Sequence, residues 1–340
     1  MLRLSVLDQS ITSMGKPEDQ TIRDTIELAQ LCETLGYNRF WLSEHHNHPT
    51  IVGTAPEIMM AAIAQATGRI RIGSAGIMLP HYAPFKVAEQ FRVLEALAPG
   101  RIDLGLGRAP GSDGKTGHAL NPNGADNSRA FAENVRDLMA WVSGQPLVDQ
   151  HPFGSLTAHP KGAGSPEVWM LGTSDYGARL AAHLGIPYCF AYFITDGYGT
   201  QEAIDLYRQT YCPSERYPEP QATVCVWAFA ANTEDEALRL FAPRLHWKLT
   251  RDRGDMEPLH PPEVVAGFDY TAGEKARLEQ LTAEALIGSA DQVAEKLNTL
   301  AENLGIDEIV VLTWAYDEAD RRHSYELLSG AFDLKSNIGI

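Results

Sequence analysis

The chain alternates between short apolar stretches rich in β-branched and aromatic residues and longer stretches whose apolar positions recur every three or four residues. The first two apolar stretches are LRLSVLD at 2–8 and RFWLS at 39–43. Between them, Ile26, Leu28, Ala29 and Leu31 follow helical spacing within 22–35. Strand, helix and strand in this order indicate two neighbouring parallel strands joined by a crossover helix.

The same alternation continues to the end of the chain. Strands are predicted at 2–8, 39–43, 70–79, 101–107, 167–172, 187–193, 222–230 and 308–313, with helices at 22–35, 56–66, 87–97, 129–141, 176–184, 200–211, from Glu234 onward and at 290–304. Eight strands, each followed by a helix, predict a (β/α)8 TIM barrel, because a doubly wound sheet usually has fewer strands and a reversal of strand order.

We expect one domain over 1–340 with two insertions, at about 143–165 and 246–284. The first insertion is rich in Gly and Pro, and the second contains GDMEPLHPPE with little apolar periodicity. Irregular segments of this length are usually active-site lids or disordered. The second segment is therefore our candidate for a lid that excludes water from the site.

Composition excludes several classes of function. With 28 basic and 44 acidic residues the formal charge is -16, so a nucleic acid would be repelled. No stretch approaches the roughly 20 apolar residues of a membrane span, and no signal peptide is evident, which favours a cytoplasmic protein without a membrane partner. The four cysteines are widely spaced and resemble free thiols rather than a disulfide framework or a zinc site.

The most unusual local sequence is WLSEHHNHPT at 41–50, where Glu44, His45, His46 and His48 follow a strand. At the mouth of a barrel such histidines can transfer protons. A metal site is less favoured because no other strand end offers a histidine or paired carboxylates. A polar cap on a strand remains possible. Since side chains alternate along a strand end, His45 and His46 should not both face the site, and the spacing does not say which does.

Two further strand ends could bind an anion. In DLGLGRAPG, Gly105 and Gly107 do not match the dinucleotide fingerprint, and no helix is predicted before Ser128. They instead suggest a strand on which a flat ligand lies close to the backbone, with Arg108 facing an anion, although an ordinary turn fits equally well.

In GTSDYG, a strand ends at Gly172 and a helix begins after Thr173 or Ser174. Its first amides could bind a phosphate at the positive end of the helix dipole. A simple helix cap is the alternative, and Asp175 would slightly oppose an anion there.

Three stretches together resemble the luciferase-like family of flavin-dependent monooxygenases, the bacterial luciferase superfamily. They are WLSEHHNHP, the run from Arg71 to Asp113, and DEIVVLTWAYDEADRRHSYELL near the end. The resemblance implies a TIM barrel that binds reduced FMN or, in a sister branch, the deazaflavin F420. It also implies a homodimer.

The resemblance assigns roles to individual residues. His45 would be the catalytic acid or base, with Glu44 and His46 in its hydrogen-bond network, and a cis peptide would join Ala75 and Gly76 beneath the flavin. The remaining cofactor-binding residues implied are Arg108, Gly172, Thr173, Ser174 and Tyr176. The chain departs from bacterial luciferase at Gly107, where a reactive cysteine would stand, and in the segment 246–284, so light emission and a long-chain aldehyde substrate are not implied.

The function expected from this resemblance is a two-component monooxygenase. Reduced FMN from a separate flavin reductase would react with O2 to a C4a-peroxyflavin and oxygenate a small organic substrate in a pocket that could include Met78, Leu79, Trp227 and Phe229. The alternatives are hydride transfer with F420 on the same barrel and a non-catalytic flavin-binding protein.

Overall fold

The computed structural model describes residues 2–337, in which nine parallel-paired strands form one sheet. The strands are β1 Arg3–Asp8, β2 Arg39–Leu42, β3 Arg71–Met78, β4 Ile102–Gly107, β5 Glu167–Gly172, β6 Tyr188–Phe190, β7 Ala222–Ala231, β8 Leu286–Ser289 and β9 Glu308–Leu312. Neighbours pair in the order β6, β5, β4, β3, β2, β1, β9, β7, and β6 also pairs with β7. These eight strands therefore close into the predicted (β/α)8 barrel.

Helices surround the barrel and fill the connections between strands. They are α1 Glu18–Leu35, α2 Pro56–Ala66, α3 Pro84–Leu97, α4 Gly114–Leu120, α5 Gly124–Arg129, α6 Phe131–Ser143, α7 Asp175–Leu184, α8 Tyr192–Thr195, α9 Thr200–Gln209, α10 Glu234–Arg251, α11 Pro262–Ala266, α12 Ala272–Glu284, α13 Ala290–Leu304 and α14 Glu318–Ala331. Within residues 2–337 none of these helices is both long enough and apolar enough to cross a bilayer.

Four parts of the chain differ from the sequence prediction. The segment 246–284 is largely helical rather than irregular, since it holds the end of α10 and all of α11 and α12. Two short helices, α4 and α5, precede the helix expected from 129, and the strand expected at 187–193 ends at Phe190 before α8. The ninth strand, β8, pairs only with the end of β7, from Ala228 opposite Leu286, and so lies outside the barrel. The segment 144–166 is irregular, as predicted.

Alternating strand residues divide the core into an inner and an outer layer. Val6, Phe40 and Ile72 belong to the cluster that packs against the helices. Their neighbours Leu7 and Trp41 belong to a second cluster with Trp169, Trp247 and Trp314. This alternation is what a closed barrel requires, because successive side chains point to opposite faces of the sheet.

A network of ion pairs fills the barrel at the amino ends of its strands. The buried guanidinium of Arg39 contacts Asp103 at 2.8 Å and Glu308 at 3.0 Å, and Asp103 also accepts a hydrogen bond from the indole of Trp41 at 2.8 Å. Each buried charge thus has an opposite partner, which compensates for its desolvation. This end is closed, and the open end lies at the carboxyl ends of the strands.

Candidate active site

A cavity of about 680 Å³ lies at the carboxyl ends of the barrel strands, a size typical of sites for small molecules. Every barrel strand, or the residues just after it, contributes to the lining: Leu7, Trp41, Ala75, Gly107, Met170, Cys189, Trp227 and Trp314. The His-rich segment lines it with Glu44, His45 and His48. The cavity is therefore located where catalytic residues of TIM barrels are found.

His45 lines the cavity, whereas His46 is not among its described lining residues. The amide nitrogen of Gln9 lies 3.4 Å from Nε2 of His45, and the His45 backbone amide donates to Gly53 at 3.1 Å. Burial, and then the nearby His48 and His46, lowers the pKa of His45 to about 4. His45 is therefore neutral near pH 7 and available as a proton acceptor or as a neutral donor.

Glu44 and His46 form a supporting network behind His45. Oε1 of the fully buried Glu44 lies 2.8 Å from Nε2 of His46 and accepts a hydrogen bond from the hydroxyl of Tyr82 at 2.7 Å. Its other oxygen accepts from the amide of Met78 at 3.0 Å. Because both oxygens are engaged by these contacts, Glu44 joins the end of β3 to the His-rich segment.

His48 was noticed in the sequence but not assigned to the site. Its Nδ1 accepts hydrogen bonds from the amides of Thr50 at 3.1 Å and Ile51 at 3.0 Å. Burial, and then the charge of Arg251, lowers the pKa of His48 to about 4. A neutral imidazole whose Nδ1 accepts must carry its proton on Nε2. His48 thus supplies a fixed N–H donor on the cavity wall.

One wall of the cavity is formed where β3 and β4 come unusually close together. The peptide between Ala75 and Gly76 is cis, as the resemblance implied, and both residues line the cavity. The pairing register of β3 with β4 shifts between Ser74 and Ile77. At the shift the hydroxyl of Ser74 donates to the Gly105 carbonyl at 3.0 Å and accepts from the Gly105 amide at 3.1 Å. The backbone therefore presents a flat surface of small residues there.

Arg108 and the start of α7 form a cationic rim on the neighbouring strands. The exposed guanidinium of Arg108 stacks on the ring of Tyr176 at 4.1 Å. Ser174 is the N-cap residue of α7, and its carbonyl accepts the first intrahelical bond, from Gly177. Within residues 2–337, and apart from its own chain neighbours, no atom lies within 4 Å of where a Gly172 side chain would begin. Open space, an arginine and helix-start amides together fit a phosphate.

The opposite part of the lining is aromatic. Trp227 and Trp247 each pack edge-on against Trp314, at 4.9 and 4.7 Å between ring centroids. Of the four residues expected in the pocket, Met78 and Trp227 line it. Leu79 is instead buried in the cluster that packs against the helices, and Phe229 is buried in a third cluster with Phe241 and Ile287. Sequence reasoning missed Gln9, Trp247, Trp314 and Arg251, which also line it.

The metal interpretation receives no support from the structure. Within residues 2–337 no group of three or more His, Cys, Asp or Glu side chains is placed to hold an ion. The histidines instead contact the side-chain amide of Gln9, the carboxyl group of Glu44 and backbone amides.

Comparison with known proteins identifies the family. The model of the luciferase-like monooxygenases matches residues 2–308. The chain belongs to this family. Two proteins of Bacillus subtilis (strain 168) are similar over nearly their whole length: YwcH, 40% identical over 98% of this chain and 99% of its own, and N-acetyl-S-alkylcysteine monooxygenase, 35% identical over 97% and 98%. The crystal structure of apo-MsnO8 is 34% identical and superimposes with a TM-score of 0.87 over 98% of this chain and 99% of its own.

More distant structures share the fold with different cofactors. The oxygenating constituent of 3,6-diketocamphane monooxygenase from Pseudomonas putida, in complex with FMN, is 23% identical with a TM-score of 0.74, and an F420-dependent secondary alcohol dehydrogenase is 17% identical with a TM-score of 0.67. Each covers 98% of both chains. The predictions of a luciferase-like TIM barrel and of a monooxygenase-type oxidoreductase are confirmed, while both flavin and F420 remain compatible with the fold.

Proposed function

We propose that this protein is an FMN-dependent monooxygenase that receives reduced FMN from a separate flavin reductase and acts as a homodimer. The observation that carries the proposal is the arrangement around the cavity: a cationic rim at Arg108, the flat Ala75–Gly76 surface, and the neutral His45 facing the same space. When bound, reduced FMN would supply the oxygen chemistry, reacting with O2 to a C4a-peroxyflavin that oxygenates the substrate.

The chain's own residues have distinct tasks in this proposal. Arg108 and the amides at Thr173 and Ser174 bind the phosphate, with Gly172 leaving room for it and Tyr176 supporting the guanidinium. His45 accepts or returns a proton, and Gln9 holds its ring through the contact at 3.4 Å. Glu44 and His46 act indirectly, because their hydrogen bonds fix the segment that carries His45.

The segment 246–284, which we expected to be a lid, forms part of the cavity wall in this proposal. Trp247 and Arg251, at the end of α10, line the cavity, so this part of 246–284 contributes a helical wall. Lys248 on the same helix forms an ion pair with Asp196, which follows α8, while Phe193 and Ile194 of α8 also line the cavity. The two helices together restrict water at the mouth, which oxygen transfer from a reduced flavin requires.

A small thioether is a suitable first substrate to examine. The relative that is 35% identical is named for oxygenating N-acetyl-S-alkylcysteines, and the aromatic lining of this cavity suits an S-alkyl or S-benzyl group. We therefore propose a small organic sulfide of this type as substrate.

The decisive experiment is an anaerobic titration of the purified protein with reduced FMN and, in parallel, with reduced F420, followed by admission of air. Micromolar or tighter binding of reduced FMN, a transient near-ultraviolet absorption after oxygen and oxygenation of N-acetyl-S-benzylcysteine would support the proposal. Binding of F420 alone, without a reaction with oxygen, would replace it by hydride transfer. Binding of flavin without turnover, unchanged in His45→Ala, would indicate a non-catalytic flavin-binding protein.

A further inference from the structure

The cavity has a second cationic part, separate from the rim at Arg108. Arg251 lines it from the last turn of α10, next to Trp247, whose indole donates to the hydroxyl of Thr50 at 2.8 Å. That bond joins the end of α10 to the loop after β2, which carries His48. The phosphate site proposed above uses residues after β4 and β5, so Arg251 and His48 have no task in it.

We propose that Arg251 and His48 bind a carboxylate of the substrate, so that the enzyme selects organic sulfides with an anionic end. This inference deepens the proposed function and rests on it for the identity of the reaction. It commits to a carboxylate because one cation and one neutral imidazole line the same cavity next to Trp247, and this pair of donors suits a compact oxyanion with two acceptor oxygens.

The donors of both residues are held in place. The guanidinium of Arg251 stacks over the ring of Trp247 at 5.3 Å, and the ring of His48 lies 6.0 Å from that of Trp247. Because Nδ1 of His48 already accepts from two backbone amides, the remaining N–H of its neutral ring is the only donor the ring can offer. The ring of Trp247 therefore contacts both residues that offer donors, Arg251 and His48.

Arg251 has donors to spare for a ligand. Its Nε and one terminal nitrogen donate to the same oxygen of the exposed Asp252, at 3.1 and 2.6 Å. A guanidinium has five N–H donors, and the other terminal nitrogen, Nη1, is not part of this contact. Asp252 orients the side chain from the solvent side while leaving Nη1 for a ligand in the cavity.

The part of the cavity lined by Arg251 and His48 offers hydrogen-bond donors, although the protein as a whole is negatively charged. The chain has a formal charge of -16, yet this wall offers a guanidinium and a neutral N–H donor. Because Asp252 pairs with Arg251 on the solvent side, a cationic substrate would gain no attraction from this wall. A wholly apolar substrate would leave the free donors of Arg251 and His48 without an acceptor, which costs binding energy. A carboxylate satisfies both donors and leaves the apolar part of the substrate against Trp41, Trp227 and Trp314, which line the same cavity.

The test compares N-acetyl-S-benzylcysteine with its carboxamide, which has the same shape without the negative charge. Binding to the full-length protein is measured by isothermal titration calorimetry, with and without FMN. We expect the wild type to bind the carboxylate at least about tenfold more tightly than the carboxamide. Arg251→Gln should abolish this preference, Arg251→Lys should retain part of it, and His48→Gln should reduce it.

Arg239→Gln serves as the control, because Arg239 lies on the same helix with its side chain 56% exposed. It should preserve the preference. Equal binding of the two probes by the wild type, no measurable binding of either, or an equal loss for both in Arg251→Gln would overturn the inference. Flavin titration of the same variants separates the two proposals: a carboxylate preference without flavin binding would remove the proposed function alone, and flavin binding without the preference would remove this inference alone.

Discussion

Nε2 of His46 lies 2.8 Å from Oε1 of Glu44, so these two residues of the His-rich segment bind each other while His45 between them faces the cavity. The Glu44 side chain is fully buried and also holds the amide of Met78 at 3.0 Å. The segment therefore combines a structural pair and a residue that faces the cavity in three consecutive positions, and substitutions at these positions should have different effects.

Glu44→Gln should mainly affect stability. The amide oxygen can still accept from the Met78 amide, but the NH2 group then faces Tyr82 and His46. The Tyr82 hydroxyl and the His46 ring must reorient to accept instead of donate, which breaks the buried network. We expect the free energy of unfolding to fall by about 2 kcal/mol, measured by urea denaturation. Glu89→Gln, at a partly exposed ion pair with Lys86, is the control and should change it by less than about 0.5 kcal/mol. Equal effects of the two substitutions would contradict the buried network.

Acid should destabilise the protein through two half-buried histidines of the cavity, His45 and His48. Burial lowers the pKa of His45 and of His48 from 6.5 to about 4 in the folded state. Between these values the unfolded chain binds protons that the folded chain does not, so the free energy of unfolding falls as the pH falls. From pH 7 to 5 we expect a loss of about 2 kcal/mol for His45 and less for the more exposed His48.

The check is urea denaturation of the wild type and of His45→Gln and His48→Gln over this pH range. Each variant should lose its share of the pH dependence, whatever its stability at pH 7. His323→Gln, at a side chain 45% exposed, is the control. A pH dependence that stays the same in both cavity variants would show that these histidines are not held neutral by burial.

Arg108→Gln should weaken binding of FMN far more than binding of riboflavin. Only FMN carries the phosphate that the guanidinium is proposed to bind, and losing one charge-assisted contact costs about 1.5 to 3 kcal/mol, or roughly 10- to 100-fold in affinity. Arg179→Gln is the control, since Arg179 is exposed on α7, the helix whose start belongs to the proposed phosphate site together with Arg108. Fluorescence titration measures all three proteins with both ligands. If both ligands lost affinity equally in Arg108→Gln, the phosphate contact would be wrong.

The barrel could be predicted because most residues of its strands are buried, which makes their apolar stretches distinct in the sequence. Val310 and its neighbours in β9 are all buried, for example. The helices within 246–284 were not predicted because they bury few side chains. Among its described residues α12 buries only Leu281, and α11 has only five residues. The short strand β8 depends on the far end of β7 for its pairing, which no local pattern reveals.

The site residues that directly follow barrel strands could be predicted from the sequence. Those that reach the cavity through tertiary contacts could not. His45, Arg108 and Ser174 all follow barrel strands, so strand prediction brings them to the same mouth. The direction of His45 was left open, and the structure places it on the cavity. Trp247 was missed because it reaches the site from the end of α10, inside a segment that appeared irregular. The tautomer of His48 is set by backbone amides in a loop, a constraint that spacing cannot show.

Close contact between β3 and β4 predicts different tolerance at two neighbouring glycines. A Cβ atom at Gly105 would lie 2.1 Å from the Ser74 carbonyl oxygen, a backbone atom that cannot move without breaking the sheet. At Gly107 it would meet only the end of the flexible Met78 side chain, at 2.9 Å. We expect Gly105→Ala to lower the free energy of unfolding by about 3 kcal/mol, and Gly107→Ala by less than about 1 kcal/mol.

Urea denaturation of both variants tests this difference, with Gly114→Ala as the control because nothing lies within 4 Å of a Cβ atom there. Gly105→Ala should also bind FMN poorly, since the displaced strand carries the Ala75–Gly76 surface, whereas the Gly107→Ala protein should remain folded enough for its flavin affinity to be measured. A Gly105→Ala protein as stable as the control would mean that β3 and β4 can separate at the register shift without loss, and that the flat surface is not fixed by their contact.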